Sequence, residues 1–297
     1  MSKKQKKSNL NIKVSGESPT VQLNTSGLFR THSVQNESPI DIYIKRNKAL
    51  LVKLGSLDRD GHIDASTDSH LYNLFLLGMV SNVESFFRCL LRELILIDKI
   101  SYEQCLEQQL TYAAAMHHNA KLLPEALLEQ CTFISLKNIR DTTKSYLNIA
   151  ITDSPLHKEL VECIRSFEQL CQIRHCIVHR AGLLGSKNAI KLGIEQHKSF
   201  FEKPIYLDLN FLQESNAICL NCVRNYNNFI FNSVLARYVE SNKSNIAWNY
   251  NIDRKWFKQY YDQFNSEELN LDAQKRGAKH YSAKVAYDEL REHYEIA

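Results

Sequence analysis

Residues that break helices are scarce in this chain. Nine glycines and five prolines are spread over 297 positions, too few for the turns of a many-stranded β fold, so long helices are expected. There is no internal repeat and no glycine-rich loop of the kind that cradles phosphates. Charge of one sign is also missing: 37 basic residues against 33 acidic ones leave a formal +4. That balance does not by itself imply nucleic-acid binding, although it leaves room for a local basic patch. The opening segment Met1 to Lys7 is not followed by an apolar run and so does not read as a signal peptide. The longest strongly apolar stretch, Leu71 to Val80, is short of a bilayer span, and a soluble chain without membrane partners is expected. The eight cysteines are dispersed through apolar helical patterns, which reads as reduced, mostly buried thiols in a cytoplasmic protein.

What is present organises into three parts. Residues 1–39 are rich in Ser, Asn, Thr and Lys, with five lysines and no acid in the first thirteen positions, and read as a flexible basic tail. Residues 40–240 carry helical periodicity. A first helix is expected over Ile40–Leu54, with Gly55 and Gly61 breaking it. The most hydrophobic helix is expected from about Asp68 to Lys99, its apolar residues recurring at three and four positions. Ser101 with Gln104 suggests a capped helix ending near His117, and Pro124 and Ser135 open two shorter ones. Ser154-Pro155 starts a long helix of about seven turns that stops at Gly182. Ala189–Ile194 and Pro204–Leu209 read as two short strands of a small hairpin. Asn210 then caps a last long helix through about Tyr238. Residues 241–297 hold both tryptophans and many tyrosines and read as an aromatic-rich helical extension. The fold class expected is all-α, with that hairpin inserted before the last long helix.

The chemistry concentrates at Arg174-His175-Cys176-Ile177-Val178-His179-Arg180. His175 and His179 are four apart and share a helix face, roughly 40° apart around the axis. Arg174 flanks that face and Arg180 adds a second guanidinium. Such a cluster can hold a phosphate and move a proton near neutral pH. Cleavage of RNA by its own 2′-hydroxyl needs a base, an acid and cationic stabilisation of a charged phosphorane, all of which His and Arg supply without a metal. One helix provides half of such a site, and two copies facing each other would complete it. The residues alone leave a plainer use open: basic side chains at a helix C-terminus also complement the macrodipole. Zinc is a further alternative, since His175 and His179 have ligand spacing and Cys219 and Cys222 form a C-x-x-C. However, no Glu follows His175, and three-apart cysteines on a helix suit a core equally well.

An Arg followed about five residues later by His, with a polar residue after the Arg, at the end of the last core helix of a bundle, resembles the signature of HEPN domains. Arg174, His175 and His179 match those positions, and Ile177, Val178 and the ending Val178-His179-Arg180-Ala181-Gly182 are similar to family members. Asn82 to Arg88, with Glu84, resembles the family's early core helix. The resemblance covers roughly residues 68 to 240. It implies a HEPN-like helical bundle and a metal-independent endoribonuclease, a hydrolase-class RNA-binding effector of antiviral, abortive-infection or toxin–antitoxin defence. The same resemblance implies a homodimer acting on RNA with no cofactor, under the control of a regulatory or antitoxin partner. Carried over residue by residue, His179 is the general acid/base, Arg174 holds the scissile phosphate, His175 positions one of them or the substrate, and Glu84 orients Arg174 or His179. The family also contains non-catalytic modules that dimerise and bind nucleotides, nucleic acids or partner proteins, and such a module is the second reading of the chain.

Overall fold

The computed structural model describes residues 11–29 and 37–294. The chain divides into two units, Met1–Asn36 and Glu37–Ala297. In the first, the described residues have no regular secondary structure apart from turns near Lys13–Gly16 and Thr25–Leu28, and Lys13 pairs with Glu17. The lysines at positions 3, 4, 6 and 7, which carry most of the basic-tail reading, lie outside the described residues.

The second unit is all-α. Its helices are α1 (Pro39–Arg59), α2 (Ser69–Ile97), α3 (Lys99–Cys105), α4 (Tyr112–His117), α5 (Leu123–Leu128), α6 (Leu136–Leu147), α7 (Lys158–Arg180), α8 (Ser186–His197), α9 (Leu209–Asn242), α10 (Tyr250–Phe264), α11 (Glu267–Lys275) and α12 (Ala283–His293). Local chemistry explains most boundaries. Ser38 caps α1 through Asp41 N, with Pro39 in the first turn. Ser135 caps α6 and Asp208 caps α9. Gly55 does not end α1, because burial of neighbouring Leu54 holds the helix through it to Arg59. Asp98, rather than Ser101, caps α3, accepting from Ser101 N at 2.7 Å. The expected helix ending near His117 is two short ones, α3 and α4. Asn210 lies inside α9, not at its cap.

The expected hairpin is not formed, and the described residues contain no strand. Ala189–Leu192 is helical in α8, which kinks at Gly193 (φ 109°) just before Ile194, and Leu183 and Pro204 make only an isolated antiparallel bridge. The run was misleading because its apolar residues are nearly continuous. Ala189 and Leu192, three apart, turn inward as a helix requires, while Ile190 and Ile194 stay outside. Pro204 has no N–H to extend a ladder.

The core is built on α2. By length and composition this helix could cross a bilayer, but Leu76, Val83, Phe87, Leu90 and Leu94 are fully buried in the fold. It packs against α1 and α9 on one side and α7 on another. Phe87 stacks on Phe133 (5.4 Å, 7°) and meets Tyr226 of α9 edge-on at 4.6 Å. Each such ring contributes roughly 1.5–3 kcal/mol by burial. The aromatic C-terminal segment joins the same core. Phe257, Tyr260, Tyr261, Phe264 and Tyr287 are buried in it, and Trp256 stacks on Tyr238 at 4.4 Å. Those rings are therefore spent on packing and are not available for stacking bases.

Candidate functional site

The last two turns of α7 distribute their side chains by the 100° step of a helix. Cys176 points inward, 0% exposed, into a small satellite core with Leu184 and Ala189 that seats α8. Ile173 and Ile177 pack on the main core. His175, Val178 and His179 face outward. The two imidazoles stand side by side, ring centres 4.6 Å apart and tilted by 48°. Arg174 is half-buried at the edge of this face.

The helix ends there for a stereochemical reason. Ala181 and Gly182 both adopt left-handed backbone, at φ 52° and 82°, and Gly182 N returns to Cys176 O at 3.1 Å. Replacing Gly182 by Ala should cost about 1–2 kcal/mol, since a Cβ is disfavoured at that φ. A thermal melt of Gly182→Ala should read this as a Tm lowered by several degrees.

Glu84 of α2 faces Arg174, with Nη2 to Oε1 at 3.8 Å. Burial raises the Glu84 carboxyl above its ordinary value, and the charges of Arg174 and Arg88 pull back without reversing the shift. Desolvation thus outweighs the ion pair, and the 3.8 Å contact leaves the Arg174 guanidinium without a hydrogen bond from Glu84. Arg88 is otherwise engaged, donating to the carbonyls of Leu128 and Cys131 at the end of α5. The His175 pKa is lowered, first by partial desolvation of a ring that remains exposed and then by His179, Arg174, Lys191 and Arg180. The shift favours the neutral imidazole, which can accept a hydrogen bond or a proton.

Arg180 is not a second free phosphate ligand. It pairs with Glu202 and lies across Gly185, where an added Cβ would sit 2.7 Å from Nε. Its work is to fasten the segment after α8 to the end of α7. Lys191 of α8, which pairs with Glu168, also brings its charge near His175, and sequence reading missed it because residues 189–194 read as a strand. The inward pair Ala189 and Leu192, read at helical spacing, would have put Lys191 on a helix beside the motif.

Cys219 and Cys222 are fully buried in α9, whereas the two histidines are exposed. Among the described residues no group of three or more His, Cys, Asp or Glu side chains is arranged to hold a metal ion. The site so defined is a cationic, imidazole-bearing face: Arg174, His175 and His179 together, with Glu84 behind Arg174 and Lys191 beside His175. It can bind an anionic phosphate and exchange a proton with it. No protein-family model matches the chain, and neither any curated protein nor any solved structure does.

Proposed function

We propose that this chain is a HEPN-type, metal-independent endoribonuclease that works as a homodimer in antiviral or toxin-like defence. The observation that carries the reading is the pair of outward imidazoles, His175 and His179, beside Arg174 at a glycine-terminated helix end. In this reaction the 2′-hydroxyl loses its proton to an imidazole and attacks the adjacent phosphorus. The 5′-oxygen leaves with a proton from a second imidazole, giving a 2′,3′-cyclic phosphate and a 5′-hydroxyl. Arg174 neutralises the phosphorane oxygens, a role for which its planar, permanently charged fork is suited. One protomer offers a single exposed cluster, and a facing copy supplies the second acid/base. A regulatory or antitoxin partner would keep the activity in check.

The second reading is a non-catalytic HEPN module for dimerisation and binding of a nucleotide, nucleic acid or partner protein. It draws on the Glu84–Arg174 contact within one protomer, which gives Arg174 a structural use. The two separate in one assay. The purified chain, incubated with a mixed RNA pool and EDTA, should produce 2′,3′-cyclic phosphate ends. Arg174→Ala should slow this about 10²–10³-fold, the usual cost of removing one oxyanion donor. Cleavage that is absent, or equal in Arg174→Ala, favours the second reading.

A further inference from the structure

Residues 183–206 leave α7 at its glycine stop and return to the same place. Ile205 N donates to Gly182 O at 2.8 Å, Leu184 N to Lys203 O at 3.0 Å, and Glu202 N to Leu184 O at 3.0 Å. The Arg180–Glu202 pair closes the loop a second time. The turn following α8 is thus fixed relative to His179, only a few residues away. On this turn Phe200 and Phe201 are 54% and 38% exposed, unlike Trp256, which is covered by Tyr238. On α8, Ile190 and Ile194 are exposed as well.

The charge around these rings is positive. Residues 183–206 contain four lysines and two glutamates. Glu195 pairs with Lys198, Glu202 with Arg180 and Lys191 with Glu168 of α7, which leaves Lys187 and Lys203 as the lysines without an ion-pair partner among the described residues. Lys191 lies against α7, its Nζ 3.8 Å from Glu168 and its charge acting on His175, so α8 borders the site.

We propose that α8 and the turn after it are the docking platform for an unpaired RNA strand, whose bases stack on Phe200 and Phe201 while Lys203 takes a flanking phosphate. This rests on the RNA-cleaving reading and names how that substrate is held. Aromatic faces beside cations are the general means of gripping single strands without reading their sequence. A duplex has its base faces already stacked, so the platform selects single-stranded over double-stranded RNA. The rival occupant is a second copy of the chain. Across a two-fold axis this net-positive segment would meet its own like charge, whereas a polyanion complements it.

The test uses the full chain and a short fluorescent single-stranded RNA with 2′-O-methyl sugars, which binds without being cut. Phe200→Ala/Phe201→Ala should weaken its binding by about 10-fold or more, with the melting temperature, the sedimentation behaviour and the weak binding of duplex RNA unchanged. Unchanged single-strand affinity overturns the proposal. Dissociation of an assembly into monomers does so too, and assigns the rings to a protein interface. His179→Ala, run in parallel, keeps the two readings apart. If wild type cuts RNA but binding ignores the phenylalanines, the platform fails and the nuclease stands. If binding depends on the phenylalanines but wild type cuts nothing, the nuclease fails and the platform stands. Failure of wild type to bind single-stranded RNA overturns both.

Discussion

His179→Ala should lower RNA cleavage by about 10²–10⁴-fold, the range over which a positioned general acid or base contributes. Binding of uncleavable RNA should stay within about a factor of two, because on the proposed reading Arg174 and the lysines, not the imidazole, carry the anion. The side chain is exposed, so its removal should change stability by no more than about 0.5 kcal/mol. That separates lost chemistry from lost folding. His175 has a different task. Its pKa is lowered by partial desolvation and by the charges around it, its ring centre lies 4.6 Å from that of His179, and on the proposed reading it orients its neighbour. His175→Ala should therefore cost less than His179→Ala in the same assay. Equal cleavage by His179→Ala and wild type, in preparations free of contaminating nuclease, would sink the catalytic assignment.

The parts of the structure that were readable in the sequence are those decided by neighbours in the chain. Ser135 accepts a hydrogen bond from backbone three residues on, and Gly182 adopts the left-handed backbone expected of a helix stop, one residue after Ala181 at the end of α7. Such signals need no tertiary information. The shared face of His175 and His179 follows from helix geometry alone. What escaped was set by distant partners. Asp98 outcompetes Ser101 as a cap because its carboxylate also answers Arg237, far along the chain. α8 is helical because the satellite core around Cys176 draws Ala189 and Leu192 inward. Its β-branched residues Ile190 and Ile194 suggested a strand, but they are on the outside, where propensity carries little weight against that packing. Arg180 looked like a phosphate ligand until Glu202, brought back by the excursion through α8, claimed it. At the site itself the three motif residues were legible. Their surroundings were not, since Lys191, Gly185 and Glu202 come from a segment whose conformation was misread.

Asp98→Ala should destabilise the fold by about 3–5 kcal/mol, the cost of leaving one member of a buried ion pair unpaired. The Asp98 side chain is 4% exposed and that of Arg237 13%, with 2.5 Å between them. The same carboxylate accepts from Ser101 N and, at 3.3 Å, from Tyr260 OH. The Arg237 guanidinium also donates to Ser101 Oγ at 2.8 Å and to the Leu147 carbonyl. One carboxylate and one guanidinium thus tie together the start of α3, the end of α6, α9 and α10. Burial lowers the Arg237 pKa, and Asp98 is the main charge opposing it, so a lone Arg237 would sit desolvated without its counter-ion. Removing both should cost less than the sum of the single losses, because the second substitution relieves what the first left stranded. Urea unfolding of Asp98→Ala, Arg237→Leu and the double variant measures this directly. The network also provides a control for the function. Asp98 lies fourteen residues beyond Glu84, which a helix converts to about 20 Å, and Gly182 lies near Asn73 toward the opposite end of α2. At a temperature where Asp98→Ala is still folded, its RNA cleavage per folded molecule should match wild type. A catalytic loss there as large as that of His179→Ala would mean that the rate follows overall stability and not the imidazole face of α7.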